Sequence, residues 1–245
     1  MAADGARFTA KELSTKTWPD FVRLFSQGGG WDFCACMLNP RGCHLPIAKF
    51  RTRAEQRVRN QHEMRELVEH GRTRGILVYA EGEPVGWCQY GRVEELPIPG
   101  VVQPRRVVTG ACHPTSQWRI TCFVTHRKHR RQGVAGVALA AVVESIRKHG
   151  GGWVEGCPIA AAYPHIDRRV RELQRTYGKR SPEVEEYVRT RVWPEADVSG
   201  VGPVKAIRGS FGNVSHAGTV SMFERAGFEP VKIVGDTNVL MRRYV

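Results

Sequence analysis

The sequence lacks any apolar run long enough to cross a bilayer. Its longest, Gly133 to Val143, is bounded by Gln132 and Glu144 and falls short of the roughly 20 residues a spanning helix needs. The opening Met-Ala-Ala-Asp-Gly-Ala-Arg has no apolar stretch of the signal-peptide kind. No internal repeat and no low-complexity tract is present, and the 26 Gly and 14 Pro are scattered, which excludes a collagen-like chain, a coiled coil or a disordered tail. A disulfide framework is missing too, because the seven cysteines are odd in number and mostly sit inside apolar runs such as Trp87-Cys88 and Thr121-Cys122-Phe123. The C-x-C-x6-C-H spacing of Cys34, Cys36, Cys43 and His44 could supply four zinc ligands, but with no C-x-x-C pair and no second cluster the group is read as buried or idle thiols, and no metal is expected. These absences imply a cytoplasmic protein with no membrane partner.

Acidic charge is scarce: 24 Asp plus Glu stand against 37 Lys plus Arg, a formal balance of +13. That favours an anionic partner, whether nucleic acid, an acidic surface or a polyphosphate ligand, without choosing among them. Hydrophobic residues make up 41% and charged residues 25% of 245, which suits a globular chain able to bury its own core.

Along the chain, Arg7 to Leu13 alternates weakly, as an opening strand would. Thr17-Trp-Pro-Asp20 reads as a helix start with Thr17 as N-cap and Asp20 reaching back, followed by an apolar stripe of Trp18, Phe21, Val22 and Phe25. Trp31 to Leu38 reads as a strand or buried loop. Thr52-Arg-Ala-Glu55 is a capping box opening a helix to about His70. Ile76 to Ala80 and Val85 to Tyr90 flank Glu81-Gly-Glu-Pro84 as a hairpin. Strands are expected at Trp118 to Thr125 and Trp153 to Cys157, with a buried helix from Val134 to Lys148 between them. From Ala160 to about Val214 the composition becomes Arg- and Glu-rich. Two helices are expected there, with Val198 to Gly212 as loop. A short helix ending at Gly227 and a hairpin across Gly235-Asp-Thr-Asn238 close the chain.

The segment Arg130-Arg-Gln-Gly133-Val-Ala135-Gly136 lies between a strand and that buried helix. N–H groups opening a helix lack intrahelical partners, and the helix dipole adds to their pull on an anion. Gly133 lets phosphate oxygens approach the backbone, Ala135 and Gly136 keep the first turn narrow, and Arg127, Lys128, Arg130 and Arg131 surround the mouth with positive charge. A diphosphate cradle is the reading adopted. The rival is a basic patch that binds nucleic-acid backbone. The glycine spacing fits neither a P-loop nor a dinucleotide fingerprint.

With this motif the chain resembles the GNAT acyl-CoA-dependent N-acyltransferases. Their pattern of strand, [RQ]-x-x-G-x-[GA], helix is met by Arg130, Gly133 and Ala135, and Ser221-Met-Phe-Glu-Arg-Ala-Gly227-Phe228 looks like their second signature helix. The resemblance implies an α/β fold, a splayed mixed β-sheet flanked by helices, in a single domain over residues 1–245. A helical lid is inserted at about 160–214, before the C-terminal helix and hairpin. It implies acetyl-CoA as co-substrate, held between the strand Trp118 to Thr125 and the strand at Trp153. The pantetheine arm would pair with the backbone of Phe123, Val124 and Thr125, and the diphosphate would sit on the N–H groups of Arg131, Gln132, Gly133, Val134, Ala135 and Gly136. The implied reaction is direct transfer of an acetyl group to a primary amine of a small molecule, with a backbone N–H near Val124 stabilising the oxyanion.

Two positions depart from the family pattern. Many relatives carry a Tyr as acid where this chain has Phe223, and His216 and Tyr163 are the candidate substitutes. Relatives also often place a Glu on the strand ahead of the phosphate loop. That strand has no carboxylate here, which leaves Glu94 and Glu95 as candidates for a base acting through water. Trp31, Asp32 and Phe33 are the candidate acceptor wall, suited to an amine on an apolar or ring-bearing body. The insertion reads equally as a homodimerisation element. Phe223 keeps open a CoA-binding sensor without turnover, and the +13 charge keeps open a nucleic-acid binder.

Overall fold

A computed structural model describes residues 7–27, 33–37, 40, 52–96, 113–160, 168–179, 181–190, 195–205, 215–235 and 237–245. Strands β1 (Thr9–Glu12), β2 (Arg74–Ala80), β3 (Glu83–Arg92), β4 (Trp118–Thr125), β5 (Trp153–Gly156), β8 (Glu229–Val234) and β9 (Asn238–Tyr244) form one sheet in the order β1-β2-β3-β4-β5-β9-β8. Between β5 and β8 in sequence, β6 (Glu195–Val198) and β7 (Gly202–Lys205) pair separately as a hairpin. Neighbours in the large sheet are antiparallel except β4 and β5, which run parallel. A parallel pair needs a crossover, and α3 (Val134–Lys148) supplies it.

Each face of the sheet has its own core. On one, α3 buries Val134, Ala138, Leu139, Val142, Val143 and Ile146 against Ile76, Val78, Cys88, Tyr90, Ile120 and Phe123. This helix must come close to the sheet where it begins, because a Cβ on Gly86 would lie 2.3 Å from Val134 Cγ1. On the other face, α1 (Trp18–Phe25) and α2 (Arg53–Glu69) pack over Leu77, Tyr79, Trp87, Cys122 and Val124. Phe21 stacks edge-on to Trp87 at 4.9 Å between ring centroids. Alternate strand residues thus feed opposite cores, as a sheet covered on both sides requires.

The two expected helix caps fare differently. Thr52 Oγ1 accepts from Glu55 N at 3.1 Å, so α2 is capped as its sequence predicts. Thr17 makes no side-chain cap, and its hydroxyl accepts from Ser14 N and donates to Glu12 O. Asp20 turns away instead, accepting from Tyr79 OH at 2.8 Å and pairing with Arg23. The sequence predicts a strand or buried loop at Trp31 to Leu38. The described part, residues 33–37, is a tight turn in which Ala35 and Cys36 take φ of 42° and 52°.

The inserted stretch also needs one correction. Helices α4 (Arg168–Tyr177) and α5 (Pro182–Thr190) form where expected and bury Val170, Leu173, Val184 and Val188 against each other. Val198 to Gly212 is not all loop, because Val198 ends β6 and Gly202–Lys205 forms β7. Their Val198 and Val204 are buried in the same large core cluster, which explains why so short a hairpin is held. The chain leaves and regains the sheet at one place. Ile159 N donates to Gly218 O at 3.1 Å, and Val220 N donates to Ile159 O at 2.9 Å. Helix α6 (Val220–Arg225) follows and ends at Gly227, whose φ is 76°. No helix among the described residues is long and apolar enough to cross a membrane.

Candidate active site

The sheet forks at β4 and β5. Their pairing covers only Trp118↔Val154, Arg119↔Glu155 and Ile120↔Gly156. Beyond Gly156 the chain turns aside, and Ile159 bridges Thr219 and Asn238 instead. From Thr121 to Thr125, the β5-facing edge of β4 therefore has no strand partner among the described residues. A further irregularity sits where the two strands part. Against β3, Gln89 pairs with Cys122 and Tyr90 with Ile120, which leaves Thr121 as the extra residue of a β-bulge.

The basic loop closes the open end of the fork. His126 N is anchored to Val85 O at 2.8 Å, and a 3-10 turn of Arg127–His129 follows. Arg131 has φ 61°, and Gly133, the N-cap of α3, has φ 90°. This alternation of hand turns successive amides toward one side, the arrangement of an anion-binding nest. The first amide of the helix to reach a carbonyl is that of Val137, on Gly133 O at 3.0 Å. Among the described residues, none of the N–H groups of Arg131, Gln132, Gly133, Val134, Ala135 and Gly136 donates to a protein acceptor. Space lies open in front of them, since a Cβ on Gly133 or Gly136 would meet nothing within 4 Å. The Gln132 side chain folds back, donating to Lys128 O at 2.9 Å and accepting from Arg7 at 2.7 Å. Burial, then the nearby His129, Lys128, Arg127 and Arg130, hold the His126 imidazole below its ordinary pKa.

The candidate proton-transfer residues fall in different places. Phe223 is fully buried, with Phe123 edge-on at 6.1 Å and Phe228 at 4.9 Å between centroids. It lies on Gly156, where a Cβ would stand 2.3 Å from its ring. His216 belongs to the 3-10 turn Ser215–Ala217 beside this group, and a Cβ on Gly218 would come within 3.2 Å of Phe123 Cε2. Glu94 and Glu95 lie just past β3, at the Trp118 end of β4, away from the phosphate loop. Glu94 is exposed. Glu95 accepts from Arg92 N at 3.0 Å and is ion-paired with Arg74. Phe33 begins the tight turn, with the Arg53 guanidinium 4.2 Å from its ring centroid. Trp31, Asp32, Tyr163, Cys43 and His44 lie outside the described residues.

Several polar groups near the fork were not singled out from the sequence. Arg119 and Glu155 form a buried ion pair at 2.8 Å, one residue before the strands part. The other Glu155 oxygen accepts from His113 N at 2.9 Å, so this carboxylate is fully engaged. Gln89, Thr121 and Asn60 are buried on the α1–α2 face. One signal for the bulge was available. Trp118, Ile120 and Phe123 feed the same core, a change of parity that regular alternation forbids.

A mixed sheet that forks at the parallel pair β4–β5, with a row of unbonded amides at the helix start beyond the fork, offers an extended anionic ligand a strand edge and a helix N-terminus in line. The chain belongs to the acetyltransferase (GNAT) family, whose family model matches residues 12–156, from β1 through β5. That family uses acyl-CoA and an acceptor substrate. No curated protein matches the chain in sequence. Solved structures similar to it include the aminoglycoside 6'-N-acetyltransferase from Enterococcus faecium, 10% identical, with 96% of each chain covered and a TM-score of 0.45. The GNAT domain of PAT from S. lividans is 11% identical, with 99% of this chain and 93% of that one covered and a TM-score of 0.45. An acetyltransferase from Thermus thermophilus is 13% identical, with 97% of each covered and a TM-score of 0.40.

Proposed function

We propose that the protein transfers an acetyl group from acetyl-CoA to a primary amine of a small molecule, directly, in a ternary complex. The observation that carries this reading is the row of unbonded amides from Arg131 to Gly136, opening onto the unpaired edge of β4. The diphosphate binds those amides. The pantetheine arm adds to β4 as a short strand along Phe123, Val124 and Thr125. Arg130 and its basic neighbours attract the anionic carrier. This alignment lays the thioester along β4 between Val124 and the Thr121 bulge, where the strands part.

There the amine nitrogen attacks the thioester carbonyl carbon, and a backbone N–H of β4 near Val124 stabilises the oxyanion. The C–S bond then breaks, and the thiolate leaves and takes up a proton. Glu95 or Glu94, through water, accepts the proton of the ammonium, and His216 or Tyr163 supplies the proton that Phe223 cannot. Trp31, Asp32 and Phe33 form the acceptor wall. A second reading, a CoA-binding sensor without turnover, is favoured by the complete burial of Phe223 among aromatic rings.

Calorimetry with acetyl-CoA and with duplex DNA at matched ionic strength tests the cradle. Saturable acetyl-CoA binding, abolished by Gly133→Glu, is expected. Steeply salt-dependent DNA affinity without acetyl-CoA binding overturns it. Release of CoA across a panel of primary amines separates enzyme from sensor. Full turnover in a Glu94→Gln/Glu95→Gln double variant removes both carboxylates from the mechanism.

A further inference from the structure

The tight turn of residues 33–37 holds two consecutive non-glycine residues in the left-handed region, Ala35 and Cys36. Such a conformation persists only where surroundings fix it from several sides. Three buried side chains do so. Asn60 Nδ2 of α2 donates to Phe33 O at 2.7 Å, Trp87 Nε1 donates to Cys36 Sγ at 2.9 Å, and Gln89 Nε2 donates to Cys36 O at 3.2 Å. The last bond continues into the sheet, because Gln89 Oε1 accepts from the hydroxyl of Thr121 at 3.1 Å. The Cys36 carbonyl can only accept, and this fixes which way the Gln89 amide faces. Gln89 is wholly buried and directly opposite the bulge.

We infer that Gln89 is a positioning residue that ties the acceptor-side turn to the bulge of β4. Rotation of its amide would turn Oε1 onto the Cys36 carbonyl oxygen and break the bond to the turn, while the Thr121 hydroxyl, which can also accept, holds the amide from the strand side. The strained turn and the strand that carries the thioester thus move as one body, and the line of attack on the carbonyl is set before either substrate arrives. The inference rests on the acyl-transfer reading, from which it takes the thioester's place.

The test uses the full-length protein with acetyl-CoA carrying 13C at the thioester carbonyl, and no amine. The carbonyl resonance of the bound thioester should move downfield from its free position, as a hydrogen-bonded carbonyl does. Gln89→Leu and Thr121→Val should return it toward the free position while the acetyl-CoA dissociation constant changes less than about twofold. Thr121→Ser, which keeps the hydroxyl, should restore the wild-type shift. With an amine from the panel, Gln89→Leu should lower kcat about 100-fold, the scale of a 1 Å misplacement, with little change in KM for acetyl-CoA. If Gln89→Leu fails to fold, Thr121→Val, a nearly isosteric change, carries the test alone. Unchanged resonance in a folded, acetyl-CoA-binding variant overturns the positioning role only. Absence of acetyl-CoA binding in the wild type overturns the acyl-transfer reading and this inference with it.

Discussion

Gly136→Glu should make the protein more stable and less able to bind its carrier, a pair of opposite signs that simple damage does not produce. Gly136 lies in the first turn of α3, and a Cβ there meets nothing within 4 Å. Replacing a helical glycine by a good helix former stabilises by about 0.5 kcal/mol. A carboxylate beside the positive end of the helix dipole adds about 0.3–1 kcal/mol. The sum, about 1 kcal/mol, raises Tm by roughly 2–4 °C for a chain of this size. On the proposed reading, the same carboxylate occupies the diphosphate's place. Loss of two or three charge-assisted amide bonds, each worth about 1.5–3 kcal/mol, weakens binding by at least about 3 kcal/mol. That is at least on the order of a hundredfold in Kd. Scanning calorimetry and acetyl-CoA titration read the two effects separately. A folded variant that binds acetyl-CoA as tightly as the wild type would refute the cradle, and a lower Tm would refute the open space in front of the helix.

The buried pair at the fork and the basic loop give two more expectations. Arg119→Met strands Glu155 without its cation in a site where both side chains are nearly inaccessible, and urea unfolding should show a loss of about 3–5 kcal/mol. Arg59→Ala removes a surface partner of Glu63, and the same experiment should show less than about 0.5 kcal/mol. The lowered pKa of His126 means that between that value and 6.5 the unfolded chain binds more protons than the folded one. Its part of the stability is therefore present in full above pH 6.5 and falls away as pH drops through that window. A bound diphosphate reverses the local field, so acetyl-CoA binding near pH 6 should take up protons, visible as a binding enthalpy that varies with buffer ionisation heat. His126→Gln should abolish that variation, and a dependence that persists unchanged would assign the uptake elsewhere.

The parts of the fold that the sequence made legible are those with long periodic signals. Helix α3 occupies Val134–Lys148 and β4 occupies Trp118–Thr125, the limits their apolar patterns predict. The exposed amides opening α3 were readable because a helix start after a glycine has one geometry almost regardless of its surroundings. Elements fixed by tertiary contacts were harder to read. Pro203 and the glycines around it make β7 look like loop, and the burial of Val198 and Val204 in the main core, a tertiary contact, accompanies its pairing with β6. Thr17 looks like a capping residue, yet its hydroxyl serves the Glu12–Ser14 turn while Asp20 is drawn off by Tyr79 and Arg23. Gln89 and Thr121 gave no signal as a pair, since 32 residues separate them in the chain and only the register of β3 on β4 joins them.

The doubly bonded contact of Ile159 with Gly218 and Val220 gives the long excursion between them a common root. Among the described residues between these two points, helices α4 and α5 bury their valines and leucine against each other, while Ala160, Val198, Val201 and Val204 pack on the main core. The entropy of closing such a loop grows only slowly with its length. The excursion can therefore lengthen, shorten or change its surface with small effect on the seven strands, and evolution is free to remodel it while the carrier's seat stays as it is.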